Sequence, residues 1–582
     1  MRPAGDSQRR GWRLLALGVV LLLLTLSSLT GLVRNPSSAA AVPSASPVSA
    51  PLSSNLSNLP DAATLPSPAT RPFDRTLRVP ADYPTIQAAV DAAQAGDLVL
   101  VSPGIYHEAV KVKTAGVTIR GTDRNTVILD GQSQMPNGIF VSGDNVILED
   151  LTAHNYAGNG FQWSHVTGYR GSYLTAYDNG DYGLYALHST QGEFDHDYAS
   201  GNPDSGFYIG ECFPCDALIT NVLSENNGLG YSGTNAGGNL IIRNSTWRHN
   251  AAGIVPNTLD SELMAPERGT TITSNEIIEN NNADAPQFFY PRAELGIGIG
   301  LPGANLNYVA DNHIVDQADY GILVSGIFDD NFWLASGNVV ERNRISGSGI
   351  ADLALASPIG ANNCFTDNVA ATTLPPLLEL THPCGSPLAL DGGGDFSPTL
   401  RVFARYVNAC GPTFPSCGHR VLGSAWQTYK VPDPQPNMPD VNAPRGDIFT
   451  EPFPLANTLP NDGLPIPVGS GGPGMLQPLG FTGYSIVQLL LALYGNLLLF
   501  ALYAVWLTMA IWELGHRDDL SPGRKFGLGA LVVGVPLIGP IVYYFAGGSK
   551  LGRGFRLGLV VGAPLLCIVV TVILLVIASF TL

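Results

Sequence analysis

From Gly138 onward, short runs that alternate apolar and polar residues (GFQWS, GLYAL, GFYIG) each follow a polar turn and open on a glycine. That glycine returns at Gly160, Gly183, Gly206, Gly230 and Gly253, with gaps of 22, 23, 23, 24 and 23, and again from Gly298 to Gly321. Alternation of period two marks strands buried on one side, and its recurrence every 23 or so residues marks a solenoid. One such coil is too thin to bury its own apolar side, so coils must stack into a rod with one continuous core. The expected class is all-β, a right-handed parallel β-helix solenoid over residues 76–386.

Aligning coils on their glycines puts Ala153, Ala176 and Ala199 in one column and Leu151, Leu174, Asp197, Asn221, Asn244 and Asn312 in another. Both columns face inward if side chains alternate. Asn221 and Asn244 then predict a buried amide ladder, continued by Asn275, Asn343 and Asn368. Asp197 stands out as a carboxylate on the interior side, where it needs partners. Two stretches break the period, 253–298 and 325–345, and carry SELMAPERG, ADAPQFFYPRAEL and SGIFDDNFWLA. Insertions in solenoids project as loops and often form the binding side.

In TIQAAVDAA, residues Ile86, Ala89, Val90 and Ala93 have helical spacing, which predicts a short amphipathic helix capping the open end of the stack. The segment PTIQAAVDAA, GD, PGIYHE and TIRG resembles the opening of pectinesterases and of NosD-like and other pectin-lyase-fold proteins. That resemblance implies the right-handed β-helix over roughly residues 76 to 385, and implies no particular activity. The pectinesterase signatures DFIFG and LGRPW are absent, as are the polygalacturonase and mannuronate-epimerase motifs.

The ends have another character. Arg9, Arg10 and Arg13 precede about 20 apolar residues, so residues 1–34 read as a signal peptide or membrane anchor, and the chain beyond residue 34 is expected to be exported. Residues 35–75 form a Pro/Ser/Ala-rich linker, and 387–480 an irregular Pro/Gly-rich stalk. Apolar runs at about 484–512, 527–546 and 557–580 predict a three-helix transmembrane tail within 481–582. On Trp506, Asp518, Lys525, Pro536, Gly539 and Tyr543 this tail resembles the membrane spans preceding the catalytic domains of phospholipase D-type cardiolipin synthases. Their HxKxxxxD motif is missing, so the resemblance implies an anchor and no lipid chemistry. The expected location is the cell membrane, with the rod on its extracytoplasmic side.

Six of the seven cysteines form near-neighbour pairs: Cys212 with Cys215, Cys364 with Cys384, and Cys410 with Cys417. In an exported chain these read as disulfides; for CFPC a redox or metal pair is the rival reading. A net charge of -17 without Lys/Arg clusters in the repeat argues against nucleic acid. An extended glycan suits the long faces of a rod, and the reactions open to it are those of a lyase, hydrolase or epimerase.

Five positions after successive glycines stand His165, His188 and Glu211, and two after stand Gln162, Tyr185 and Tyr208. On consecutive rungs about 5 Å apart, histidine and carboxylate could serve as base and acid in proton abstraction from a uronic acid, with tyrosines stacking on sugar rings. The competing reading has the histidines bonding turn carbonyls and the tyrosines packing outside. Asp178, Asp181 and Asp204 share one turn column and suggest calcium, although Asp is also a common turn residue for backbone reasons alone.

Overall fold

The glycine period is the period of a coil. In the computed structural model, which describes residues 72–286, 289–290, 294–329, 331–386, 393–410, 419–420, 431–446, 448, 504–534, 538–545 and 549–562, each coil contributes one short strand to each of three parallel sheets. Among the described residues sheet A has twelve strands, from Thr76–Val79 to Cys364–Thr366; sheet B has eleven, from Val110–Val112 to Thr373–Leu374; sheet C has ten, from Gly104–Tyr106 to Arg344–Ser346. The architecture is a parallel β-helix.

The register explains the glycines by close approach. A Cβ on Gly160 would stand 2.8 Å from the carbonyl oxygen of Gly183, and one on Gly183 would stand 2.6 Å from that of Gly206. Any side chain there would push the coils apart. Inward residues fill the rod, and its early coils hold an aromatic stack in which Trp163 lies 5.5 Å from Phe194, Phe194 lies 6.1 Å from Phe207, and Phe207 lies 5.8 Å from Trp247. The cap is the helix Ile86–Ala92, α1, with Thr85 at its N-cap accepting from the Ala88 N–H at 3.1 Å. Its buried face includes Ile86, Ala89 and Val90, with Ala93 just beyond, as the spacing predicts.

The asparagine ladder exists, but one residue away from its predicted start. Asn221 and Asn244 are exposed at the turn and have left-handed backbone, φ 55° and 48°. The interior positions beside them are Val222 and Ser245. From there Asn275, Asn312, Asn343 and Asn368 each offer a carboxamide oxygen to the backbone N–H one coil earlier, at 3.0–3.2 Å. The slip has a geometric cause. Tyr198 pairs with Leu223, 25 residues on, while Phe207 pairs with Tyr231, 24 on, so counting back from the glycine crosses a turn of changing length. A second ladder, Asn179–Asn202–Asn227–Asn250–Asn280, runs along the turn between sheets C and B, and the glycine alignment missed it.

The predicted stalk is partly built onto the rod. Residues Phe396–Cys410 form α2, whose Arg401 pairs with Asp319 at 2.8 Å and whose Arg405 also pairs with Asp319 and donates to the Leu295 carbonyl. Residues 431–446 lie extended against the early coils. There the buried Arg120 guanidinium binds Glu149 at 2.7 Å, donates to the carbonyls of Val441 and Ala443, and has the Phe73 ring 5.2 Å away. Both ends of the described rod segment therefore meet at one side chain.

Cys212–Cys215 and Cys364–Cys384 are disulfides. The Cys410 side chain and Cys417 lie outside the described residues, as do the N-terminal apolar segment and much of the three apolar tail runs. The described residues beyond 503 belong to a unit of their own. Its described parts are helical residues 504–515, α3 (Pro522–Gly534), α4 (Ile538–Phe545) and α5 (Arg553–Leu557). The Trp506 indole donates to the Leu559 carbonyl at 2.9 Å, and a Cβ on Gly539 would meet the Leu531 carbonyl oxygen at 2.1 Å, so α3 and α4 pack backbone to backbone. Among the described residues no helix is long and apolar enough to cross a membrane.

Candidate functional site

Sheet B presents one outward column along the rod: Lys111, Phe140, Gln162, Tyr185, Tyr208, Ser232, Val255, Gly300, Leu323 and Ala354. In-register parallel pairing stacks like positions at about 4.8 Å, and the tyrosines use it. Tyr185 and Tyr208 stack with ring centroids 4.7 Å apart, and Tyr182 stacks on Tyr185 at 4.6 Å. Tyr208 is 3% exposed and forms the floor. Its ring runs along the strand over Gly210, where a Cβ would come within 2.0 Å of the phenol oxygen. Tyr185 and Tyr182 are half-buried, with the Tyr185 phenol the more open of the two. Gln162 is held in an amide network, its oxygen accepting from Asn137 at 2.8 Å and Asn159 at 3.1 Å.

At the end of the same strands the chain turns toward sheet A through a left-handed residue, and that residue is His165, His188 or Glu211, with φ 57°, 47° and 52°. The turn aims their side chains along the rod instead of into it. The imidazoles of His165 and His188 lie 4.6 Å apart, and His188 Nε2 stands 3.3 Å from Glu211 Oε2. His188 Nδ1 also lies 3.2 Å from the Glu211 carbonyl oxygen, so the turn-carbonyl contact and the carboxylate contact are made together. On its own rung His165 Nδ1 stands 2.9 Å from Ser164 Oγ.

The insertions wall this face. Strand Ile327–Phe328 pairs with Phe332–Trp333, and the Ser261 N–H donates to Asp329 Oδ2 at 2.8 Å. Leu263 N–H donates to Glu211 Oε2 at 3.2 Å, which brings the Glu262 carboxyl near the Glu211 carboxylate. Burial of the carboxyl end, then the charges of Glu211, Asp204 and Asp329, push Glu262 up to about 7, although the residue as a whole is exposed. Leu263, Met264 and Phe328 are exposed apolar side chains on the two insertions. Burial and then neighbouring carboxylates, led by Asp181 for Tyr185 and by Asp204 for Tyr182, raise both phenols.

The three aspartates of the turn column separate. Asp181 and Asp204 act on the tyrosines, whereas Asp178 is 4% exposed and burial alone pushes it up to about 8. Among the described residues no group of three or more His, Cys, Asp or Glu side chains could hold a metal. Asp197 is interior as predicted: its Oδ1 accepts the Leu174 N–H at 2.7 Å, and burial raises it well above the usual carboxylate range. Tyr182 and Glu262 escaped the sequence reading. Tyr182 immediately precedes a period glycine, and Glu262 sits in the SELMAPERG insertion, whose position on the rod no repeat fixes.

Residues 159–326 match the family of right-handed β-helix regions, which agrees with the sheet topology. Solved structures similar to the chain include the A-module of a mannuronan C-5 epimerase from Azotobacter vinelandii, at 18% identity over 50% of this chain and 92% of that one with a TM-score of 0.37. An alginate lyase from Paenibacillus sp. matches at 14% identity over 51% and 99%, TM-score 0.35. A DFA-IIIase from Arthrobacter chlorophenolicus matches at 11% identity over 50% and 94%, TM-score 0.36. No curated protein sequence matches the chain. At these levels no chemistry transfers from those proteins to this one.

Proposed function

We propose that the protein is a membrane-anchored, extracytoplasmic β-helix that binds an extended polysaccharide on the early half of sheet B. The observation carrying this is the stack of Tyr182, Tyr185 and Tyr208 on the outer face, edged by the His188–Glu211 pair. Aromatic rings on the outer face of a sheet walled by insertions suit sugar rings, whose apolar faces stack while their hydroxyls reach the flanking polar groups. The repeat along the rod suits a repeating polymer. Export is supported by the two disulfides, which persist in oxidising compartments, and anchoring by the apolar runs at both ends of the sequence.

Catalysis at the same place has candidates within reach. His188 and Glu211 are in contact, and Glu262 on the insertion supplies a second carboxyl group that exchanges its proton near neutrality. These three carry the acid–base role in this reading, with Tyr185 and Tyr182 holding the sugar and Gln162 at the entrance to the column. Calcium, if the protein uses it, would draw on Asp181 and Asp204 and not on Asp178. A non-catalytic scaffold role is the second reading, favoured by Leu263, Met264 and Phe328, whose exposed apolar surfaces suit a protein partner.

The test is a panel of plant, bacterial and fungal polysaccharides presented to the full-length protein in detergent micelles. The reading expects at least one polymer to bind and Tyr185→Ala to weaken it about tenfold, in line with the loss of one stacking contact. Turnover that disappears in His188→Ala and Glu262→Gln while binding persists assigns the reaction. Binding without turnover in the unaltered protein assigns the scaffold, and no binding by any polymer removes the glycan.

A further inference from the structure

The tail carries basic residues on both flanks of its middle apolar run: Arg517, Arg524 and Lys525 before it, and Lys550, Arg553 and Arg556 after it. A run that crossed a bilayer once would hold these flanks apart by the hydrocarbon thickness, about 30 Å. Instead they touch. Lys550 Nζ stands 3.0 Å from Asp519 Oδ1, and the same carboxylate takes the Arg517 guanidinium through two bonds of 2.8 Å. The Lys550 main-chain N–H donates to Glu513 Oε1 at 2.6 Å, and the Ser549 hydroxyl donates to Glu513 Oε2 at 2.7 Å. Glu513 and Ser549 are buried, so the junction is part of the packed unit.

Between the flanks the chain folds back. Helices α3 and α4 have 13 and 8 residues, about 20 and 12 Å at 1.5 Å per residue. A straight helix would set Leu531 and Gly539 about 12 Å apart, yet a Cβ on Gly539 would overlap the Leu531 carbonyl oxygen. The returning segment packs on the helix the run began from: the Tyr544 hydroxyl donates to the Trp506 carbonyl at 2.9 Å, and Tyr543, Tyr544 and Val532 are buried with Trp506, Ala510 and Leu514. Beyond it the chain runs antiparallel to residues 504–515, with Lys550 beside Glu513 and the Leu559 carbonyl at the Trp506 indole.

Resting on the membrane-anchor reading above, we infer that the middle apolar run is a re-entrant helical hairpin that enters and leaves through one leaflet, and that its joined basic flanks dock on the acidic phospholipid headgroups of that leaflet. This removes one crossing from the three expected of the tail. A single crossing would strand one basic cluster on the outer side, whereas the hairpin places both on the cytoplasmic side, where such residues collect. Residues 513–556 hold six basic and three acidic residues, so the joined flanks carry net positive charge. Arg524 and Lys550 are exposed, and beside them in sequence Phe526 and Phe555 are exposed rings of the kind that settle at headgroup depth.

The experiment uses the full-length chain in a Cys567→Ala background with single cysteines placed by Asp518→Cys or Gly552→Cys, treated with a membrane-impermeant maleimide in intact cells and in inverted membrane vesicles. Both positions should label in the inverted vesicles and neither in intact cells. Ser521→Cys and Gly554→Cys form a second exposed pair in case either of the first misfolds. Labelling of 518 and 552 from opposite sides overturns the hairpin. In vesicles of equal phosphatidylcholine and phosphatidylglycerol, the purified protein should retain phosphatidylglycerol by about fivefold or more, and Arg524→Gln with Lys525→Gln should remove most of that preference. Equal retention of the two lipids overturns the headgroup surface and leaves the hairpin. Release of the protein from membranes by alkaline carbonate would instead sink the anchor reading, and this inference with it.

Discussion

One outward column of sheet B has two halves with opposite fates. In the early coils it shows Gln162, Tyr185 and Tyr208, edged by His188 and Glu211, and Gln162, Tyr182 and Tyr185 are half-buried. In the late coils it shows Gly300, Leu323 and Ala354, which are buried. There Ile297, Tyr320, Leu323, Ala351, Ala354 and Ala356 form an apolar cluster, and α2 is clamped beside it by Arg401 and Arg405 on Asp319. A β-helix must hide or use whatever its flat faces display. Here the apolar half is hidden by the chain itself, and the aromatic and charged half is left for something else.

The interior holds neutral amides in both halves, in the ladders Asn179 to Asn280 and Asn275 to Asn368, and in the early coils it also encloses the carboxylates Asp150, Asp178 and Asp197. Uniform asparagine satisfies the turn backbone at no charge cost. Buried carboxylates do not, and burial raises all three.

The largest effect should come from the element both halves share. Gly183→Ala puts a Cβ 2.6 Å from the Gly206 oxygen and should cost about 3 kcal/mol, measured as a lowered denaturation midpoint. An unchanged midpoint would mean the coils have slack that the register denies them. Next, Asp319→Ala removes the clamp of the late half and should cost about 2 kcal/mol, with backbone amides of α2 and of 320–325 exchanging faster while those of 184–188 do not.

The third effect is a pH dependence to which the buried carboxylates of the early half contribute. Asp178 is pushed up to about 8 and Asp150 up to about 6 from an ordinary 3.8, so between these values the folded chain holds protons that the unfolded chain has released. Stability therefore falls as pH rises from about 4 to about 8 and levels off above. Asp197→Asn, which keeps the oxygen that accepts the Leu174 N–H, should flatten part of that slope and stabilise the protein at pH 8 by about 2 kcal/mol, measured by thermal melts across the range. A slope of the opposite sign would show that these carboxylates are ionised in the fold. The smallest effect belongs to Tyr185→Ala, which should cost only about 1 kcal/mol of stability while weakening glycan binding tenfold.

The architecture is legible in the sequence because one residue type, glycine, is forced by contact between coils and so keeps time along the chain. The column of His165, His188 and Glu211 is legible for the same reason: it lies five residues past the glycine with no variable turn between. Counting the other way crosses the turn between sheets C and B, which changes length at Leu223–Leu229, and there the count displaces the ladder onto Asn221 and Asn244. Glu262 is out of reach because an insertion has no repeat to place it. Spacing alone groups Asp178 with Asp181 and Asp204, and the coil sets the last two against the stacked tyrosines and the first against Tyr177 instead. The helix α2 is hidden in a stretch whose glycines and prolines outweigh the amphipathic run from Phe396 to Cys410.

The most direct test of the account is hydrogen–deuterium exchange of the full-length protein with and without an oligosaccharide of the polymer that it binds. Protection concentrated at 182–188, 205–211 and 258–264, with α2 and the 431–446 segment unchanged, is the result expected of a glycan seated on the early half of sheet B. Protection over sheet A or over α2, with those three segments unaffected, would place the ligand elsewhere and contradict the division of the face into a hidden and a working half.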